Sequence, residues 1–308
     1  MKTERKQTRD LFRFGIGEWY GKLFIHLTPD ERLFLAQHQQ RKKKERAIQP
    51  CPPRFAENPE SKCTKEGGIC SLRLYKFSNH EALAEPTSPG NLVTVCPYRF
   101  DEGKMVVNWV GETILGQPES IIVNEVGFLE KPKEPFKNRK GKDDVGRIDM
   151  VLVHPQKDPF IWCALEKQAV YFSGDSMKCE FDFIAHQNIE RLPFPVGRRR
   201  PDYRSSGPKR LMPQLQIKVP TLRRWGKKMA VVIDRSFFDS IGEMGHVDDL
   251  SNCDIAWFVV KYEEDSKNAI LKPDFVLYTT LERTVEGLTG GTPVSLREFE
   301  KRIKRKLR

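Results

Sequence analysis

Two extended runs in the middle of the chain carry the residues best suited to chemistry. VGRIDMVLV, at 145–153, sets Asp149 in an apolar stretch, and FIWCALEKQAVYFSG, at 160–174, sets Glu166 and Gln168 two residues apart. Side chains alternate faces along a strand, so Glu166 and Gln168 share one face and Lys167 takes the other. An aspartate on one strand, with a glutamate and a polar residue on the next, offers oxygen donors to a hard divalent cation such as Mg²⁺. Such an ion activates water and polarises a phosphodiester, so on a basic chain the pattern points to phosphodiester cleavage. Gln168 does not titrate near neutrality and can serve only to orient a water. The Lys167 carbonyl is a further oxygen donor. Glu125, in the strand-like SIIVNEV at 120–126, is a candidate third carboxylate, and Glu112 a weaker one. The competing reading pairs Asp149 and Glu166 with arginines such as Arg147, and periodicity alone does not separate the two.

The elements that must position these residues are legible in outline. Ala230–Asp234, Ile255–Tyr262 and Phe275–Thr280 read as strands, the first two buried. Val107–Leu115 reads as a helix. Residues 203–228 are strongly basic and read as a helix broken near Pro220. Residues 1–48 read as a basic helical region. Its helix starts at Thr28, with Pro29 at the first position, Glu31 completing a capping box, and Arg41–Lys44 at the end. A second capping box, Ser295 with Glu298, opens a C-terminal helix with Leu296, Phe299, Ile303 and Leu307 on one face and basic residues on the other. Three regions are expected: a helical one at 1–48, a cysteine-bearing segment at 49–100, and a core with the C-terminal helix at 101–308. The loop at 130–144 is rich in lysine and proline.

The 308 residues carry 53 Lys+Arg against 42 Asp+Glu, a formal net charge of +11. That surplus suits a polyanion partner, nucleic acid being the commonest. The first residues lack the apolar core of a signal peptide, and no apolar run is long enough to span a bilayer. A cytosolic protein with no membrane partner is therefore expected, and its seven cysteines are expected to be reduced. Cys51, Cys63, Cys70 and Cys96 cluster in a Pro- and Gly-rich segment of weak hydrophobic periodicity. Such a segment buries little apolar surface and needs a staple. Four thiolates favour zinc or iron, although the spacings of eleven, six and twenty-five residues are irregular and no C-x-x-C occurs. The competing reading is four free thiols packed as small hydrophobes, which is also the reading preferred for Cys163.

Together these residues carry a resemblance. Cys51, KCTKEGGICS at 62–71, CPYRF at 96–100, GRID at 146–149, EKQAVYFSG at 166–174 and the basic block near 209–228 resemble the NotI-type restriction endonucleases, of the PD-(D/E)xK nuclease superfamily. The resemblance spans roughly residues 50–265. It implies an α/β fold, with a mixed central sheet flanked by helices, an N-terminal helical region and a small metal-stapled segment. It implies a bacterial, homodimeric, Mg²⁺-dependent enzyme that cuts double-stranded DNA at a palindromic, GC-rich site, leaving 5′-phosphate and 3′-hydroxyl ends. It assigns Asp149, Glu166 and Gln168 to the active site, Glu125 less firmly, and a structural iron to the four thiolates, zinc being chemically plausible from the ligands alone. Ile148 stands where the superfamily's proline would, and Gln168 where its lysine usually does. Phosphate contacts are expected from Arg198, Arg199, Arg200, Lys209, Arg210, Arg223, Arg224, Lys227 and Lys228. A non-catalytic DNA-binding protein and a repair or junction nuclease of the same superfamily are the alternatives.

Overall fold

The computed structural model describes residues 12–78, 83–86, 92–130, 144–156, 158–187, 190–265, 267–290 and 294–307. Most of the lysine- and proline-rich loop expected at 130–144, and the charged start of the chain, lie outside the described residues. In chain order the elements are β1 (Phe12–Trp19), β2 (Lys22–Leu23), α1 (Pro29–Gln40), β3 (Ile69–Ser78), β4 (Leu83–Pro86), β5 (Leu92–Thr94) and α2 (Met105–Val110). There follow β6 (Ile121–Glu130), β7 (Asp144–Val153), β8 (Trp162–Lys167), β9 (Tyr171–Gly174), α3 (Lys178–His186), β10 (Arg199–Asp202), α4 (Tyr203–Ser206) and α5 (Met212–Arg224). The chain closes with β11 (Met229–Asp234), α6 (Arg235–Ser240), β12 (Ile255–Glu264), β13 (Ala269–Thr279), α7 (Leu281–Thr289) and α8 (Leu296–Lys306).

The core is a six-stranded mixed sheet in the order β13-β12-β11-β8-β7-β6. β11 runs parallel to β8 and β12, and the other neighbours are antiparallel. β11 is buried along its whole length, which is why MAVVID reads as a continuous apolar run rather than an alternating one. Alternate residues feed two cores. Ala164, Met229, Val231 and Trp257 pack with Leu215, Val219 and Leu222 of α5. Cys163, Leu165, Ala230 and Phe258 pack with Val106, Val107 and Val110 of α2 on the other face. The expected mixed sheet flanked by helices is present.

Two local expectations are overturned. Residues 1–48 are not helical throughout: FRFGIGEW forms β1, and only Pro29–Gln40 is α-helical beyond it. The period-two alternation of Phe12, Phe14 and Ile16 is the signal for the strand. β1 pairs with β3, so β1 and β2 share one five-stranded sheet with the strands of the cysteine segment. Gly17 permits this pairing, since a Cβ there would stand 2.6 Å from Leu92 and 2.8 Å from the Ser71 hydroxyl. The helix at 203–228 does not break at Pro220 but continues to Arg224. A proline inside a helix costs about 3 kcal/mol. Buried Val219 and Leu222 on either side offset that cost by packing on the sheet. The capping box at Thr28 is formed in full, both its bonds being present.

The small sheet is bound to the core by buried polar groups. Arg99 donates to both carboxylate oxygens of Glu18 at 2.9 and 3.1 Å and to the Ala269 carbonyl at 2.7 Å. Arg73 pairs with Glu264 at 2.5 Å. Asp234, at the end of β11, caps α6 through Phe237 N–H and also accepts from the Thr94 N–H of β5. Burial nonetheless raises the Asp234 pKa from 3.8 to about 6, because desolvation outweighs the two backbone donors. The folded state therefore binds this proton more tightly than the unfolded one. The Asp234 contribution to stability should fall as pH rises from about 4 to about 6 and stay level above that. Asp234→Asn should flatten this slope, and Asp234→Ala should cost about 1–2 kcal/mol through the lost cap. Urea unfolding midpoints between pH 4 and 7 measure both.

Candidate active site

The pairing of β7 with β8 sets Met150 opposite Leu165, and one step further sets Asp149 opposite Glu166. Parallel pairing of β8 with β11 sets Glu166 beside Val231, which packs on the α5 face. Both carboxylates therefore project toward α5. Glu166 is buried, while the Asp149 side chain is 61% exposed, so the pair has one dry end and one open to solvent.

The group they meet is Lys218 of α5. Its ammonium lies 2.7 Å from Glu166 Oε2 and 3.5 Å from Asp149 Oδ2, and it also donates to Gln214 Oε1 at 2.9 Å. Sequence reading missed Lys218. It sits 52 residues beyond Glu166 in a block whose other cations read as a phosphate-binding surface. The available signal was its position between Leu215, Val219 and Leu222, on the buried stripe of the helix. Desolvation by burial pushes the Glu166 pKa up from 4.5 to about 7, and Asp149 adds to the rise while Lys218 opposes it. A carboxylate so placed needs a cation beside it to hold its charge.

The other residues expected at the site separate. Lys167 faces away, as alternation requires, and pairs with buried Asp101 on the opposite side of the sheet. Gln168 is buried, donates its backbone N–H to Val232 and gives its side-chain N–H to the Ala169 carbonyl at 2.6 Å. Glu125 lies at the β6 position opposite Asp149, between the pairs Asn124–Met150 and Val126–Ile148. Its φ of 54° turns it out of the ladder, and its carboxylate pairs with Arg147 at 3.1 Å. The arginine suspected of neutralising Asp149 is thus engaged by Glu125 instead. Among the described residues no group of three or more His, Cys, Asp or Glu side chains is placed to hold a metal ion. The site rests on Asp149 and Glu166 as a pair. Both are oxygen donors of the kind a hard divalent ion takes, with solvent on the Asp149 side to complete its shell, and the Lys218 ammonium stands beside them.

Several of the basic residues expected to touch DNA are spoken for. Arg199 is a correction: it is buried, pairs with Glu180 at 2.7 Å and donates to the Ser176 carbonyl, so it braces β10 and is closed to a phosphate. Arg223 is held by Asp254 and Glu282. Lys228 donates to the Ser251 and Cys253 carbonyls. Arg200, Lys209, Arg210 and Arg224 are exposed, Arg210 stacking on Tyr171 at 3.6 Å. A groove of about 1040 Å³ along α1 and α3 and an apolar one of about 310 Å³ beside β6 and β7 do not include Asp149 or Glu166. Only the Asp149 end of the pair opens to solvent, so a substrate would approach from that side.

The four clustered cysteines approach one another. The neighbouring Cys63 thiol and burial push the Cys51 thiol up, with smaller contributions from Cys70 and Cys96. The Cys51 neighbour and nearby Lys65 and Arg54 bring the Cys63 pKa down to about 7, while burial raises those of Cys70 and Cys96. The surrounding backbone is tied by Cys51 N–H to Ser61, Cys63 N–H to Gln49 and Cys96 N–H to Cys70. These sulfurs are suitable donors but do not stand at coordination spacing. The segment is also less irregular than expected, since β3, β4 and β5 all lie within it.

A mixed sheet whose adjacent strands turn an aspartate and a glutamate onto one cation is consistent with the restriction-endonuclease-like class of nucleases. A family model described as restriction endonuclease NotI matches residues 34–272, most of the chain. The chain belongs to that family, and hence to the restriction endonucleases, hydrolases acting on DNA. Such enzymes generally need a divalent metal such as Mg²⁺. No curated protein matches the chain. Among the described residues no helix is long and apolar enough to cross a membrane.

The pair's asymmetry has a measurable consequence. Glu166→Ala should destabilise the fold by about 3–5 kcal/mol, because it strands a buried ammonium. Asp149→Ala should change stability by less than about 1 kcal/mol, because that side chain is largely solvated. Urea denaturation of the two variants checks the contrast, and equal losses would contradict the geometry.

Proposed function

We propose that this chain cuts both strands of double-stranded DNA at a palindromic site, as a homodimer, with Mg²⁺ held by Asp149 and Glu166. The observation that carries this reading is the placement of the two carboxylates on one face of neighbouring strands, one buried and one open to solvent. When bound, the ion would polarise the phosphate and offset charge on the leaving oxygen. Asp149 holds the solvent-open side of the site, where a DNA backbone can approach, and Glu166 anchors the dry side. Water adds to phosphorus and the bond to the 3′ oxygen breaks. The water loses a proton to solvent and the 3′ oxygen gains one, leaving 5′-phosphate and 3′-hydroxyl ends. Gln168 is assigned to orienting the water, which requires its amide to turn from the Ala169 carbonyl. Glu125 would join only on release from Arg147. Phosphate contacts fall to exposed Arg200, Lys209, Arg210 and Arg224, and two-fold pairing of chains matches a palindrome.

We also propose that Cys51, Cys63, Cys70 and Cys96 hold a structural iron or zinc ion. The backbone bonds that gather the segment, Cys51 N–H to Ser61, Cys63 N–H to Gln49 and Cys96 N–H to Cys70, support this, and metal binding would take all four as thiolates. Closure of the sulfurs to coordination spacing is the required adjustment.

Incubation of plasmid and genomic DNA with Mg²⁺ should give discrete fragments with one common end sequence. Glu166→Gln should slow cleavage by about 1000-fold, the loss of several kcal/mol of transition-state stabilisation. Shifts of DNA mobility without cleavage would favour a non-catalytic DNA-binding protein, and preference for branched over linear duplex a junction nuclease. Elemental analysis should find one iron or zinc per chain, and its removal by chelation should lower the melting temperature. A metal-free protein of unchanged stability would refute the cysteine site.

A further inference from the structure

We propose that Lys218, delivered by α5 rather than by a strand, is a catalytic residue that supplies the active-site positive charge missing at Gln168. The inference rests on the nuclease reading above. Gln168 carries no charge, Lys167 points to Asp101 across the sheet, and Arg147 is paired with Glu125. Among the described residues, Lys218 is the cation in contact with both Asp149 and Glu166.

The geometry argues for more than a structural pair. Burying an ammonium and a carboxylate together is costly, and an apolar pair of similar volume would often stabilise the core as well or better. Lys218 also meets Asp149, whose side chain opens to solvent, so its head lies where the dry core gives way to the surface a DNA strand would follow. The amide of Gln214, one turn earlier on α5, fixes the direction of the ammonium. Its three N–H groups point to Glu166, Gln214 and Asp149, at 2.7, 2.9 and 3.5 Å. The last contact is the longest. That N–H is the one to turn toward a non-bridging oxygen of the scissile phosphate, where it would offset charge as the attacking water adds. A strand lysine two residues after the glutamate would reach the same region from the β8 side. A four-carbon stem on a packed helix reaches it from above the sheet.

The alternative role is occupancy alone: the ammonium fills the divalent-ion site and leaves when the ion arrives. The two roles give opposite results in Lys218→Gln. The experiment compares wild type, Lys218→Gln, Lys218→Arg and the double variant Gln168→Lys/Lys218→Gln. Three quantities are read: single-turnover cleavage of cognate DNA at saturating Mg²⁺, Mn²⁺ affinity of the protein by calorimetry, and DNA affinity in Ca²⁺. A catalytic Lys218 predicts a cleavage rate lowered at least about 100-fold in Lys218→Gln. Mn²⁺ and DNA affinities should stay within about threefold, and Lys218→Arg should recover at least a tenth of the wild-type rate. A wild-type rate in Lys218→Gln with tighter Mn²⁺ binding overturns the proposal in favour of occupancy. The double variant keeps one cation beside Glu166 and is the fallback should Lys218→Gln not fold. Recovery to within tenfold of wild type supports the proposal, and a folded but inactive double variant counts against it. Absence of cleavage by wild type itself would instead defeat the nuclease reading.

Discussion

The constraint on which the site depends is the cost of a charge on Glu166. A carboxylate with a nearly dry side chain, at the centre of a six-stranded sheet, is held in the protein only with a cation beside it. Here the cation is Lys218, and what places it is the packing of α5. Leu215, Val219 and Leu222 seat that helix on the sheet, and Lys218 lies on the same buried stripe. The interruption at Pro220 is therefore tolerated, since the turn that contains it is fixed from below rather than by its own ladder. Asp149 needs no such support, and its solvation makes it the entry side of the site.

The second layer of organisation is the hold that the small sheet has on the core. Arg99, Glu18, Arg73, Glu264 and Asp234 form contacts between elements far apart in sequence, and all are buried or nearly so. Each is paired, as burial requires, and each pairing is directional. Apolar packing would allow the two sheets to slide, whereas a guanidinium N–H shared between both oxygens of one carboxylate fixes register. The register matters to the site because Thr94 O accepts from Val170 N–H, two residues beyond Gln168, and thereby ties the chain leaving β8 to the small sheet. Much of the basic character of the sequence is spent in this way. Arg73, Arg99 and Arg199 are interior, so the net charge of +11 overstates what any single arginine says about DNA.

What was legible in the sequence was what period and neighbour type determine. The strands bearing Asp149 and Glu166 were found because apolar runs bracket them, and the shared face followed from alternation. The cap at Thr28 was found because its chemistry is local. β1 was missed because charged residues around FRFGIGEW read as helix, and the alternation of Phe12, Phe14 and Ile16 is short. Pro220 misled because propensity is local while the packing that overrides it is not. The commitments of Arg199, Arg147 and Arg223 lie with acidic partners 19, 22 and 31 residues away, distances at which sequence carries no pairing signal. Lys218 was hidden for the same reason.

A divalent-ion site on a sheet is therefore two problems with unequal tolerances. The carboxylates must meet within a few tenths of an ångström of a fixed separation, and only neighbouring strands in register provide that. The accompanying positive charge needs only to reach a point, and a lysine stem of four methylenes can reach it from several directions. Strand chemistry should then be rigid in its acids and permissive in its cation. In the proposed site, Asp149 and Glu166, one step beyond the Met150–Leu165 pair of β7 and β8, would be the rigid part. On the same proposal, the helix that brings Lys218 to within 2.7 Å of Glu166, while Gln168 stands uncharged, would meet the permissive part.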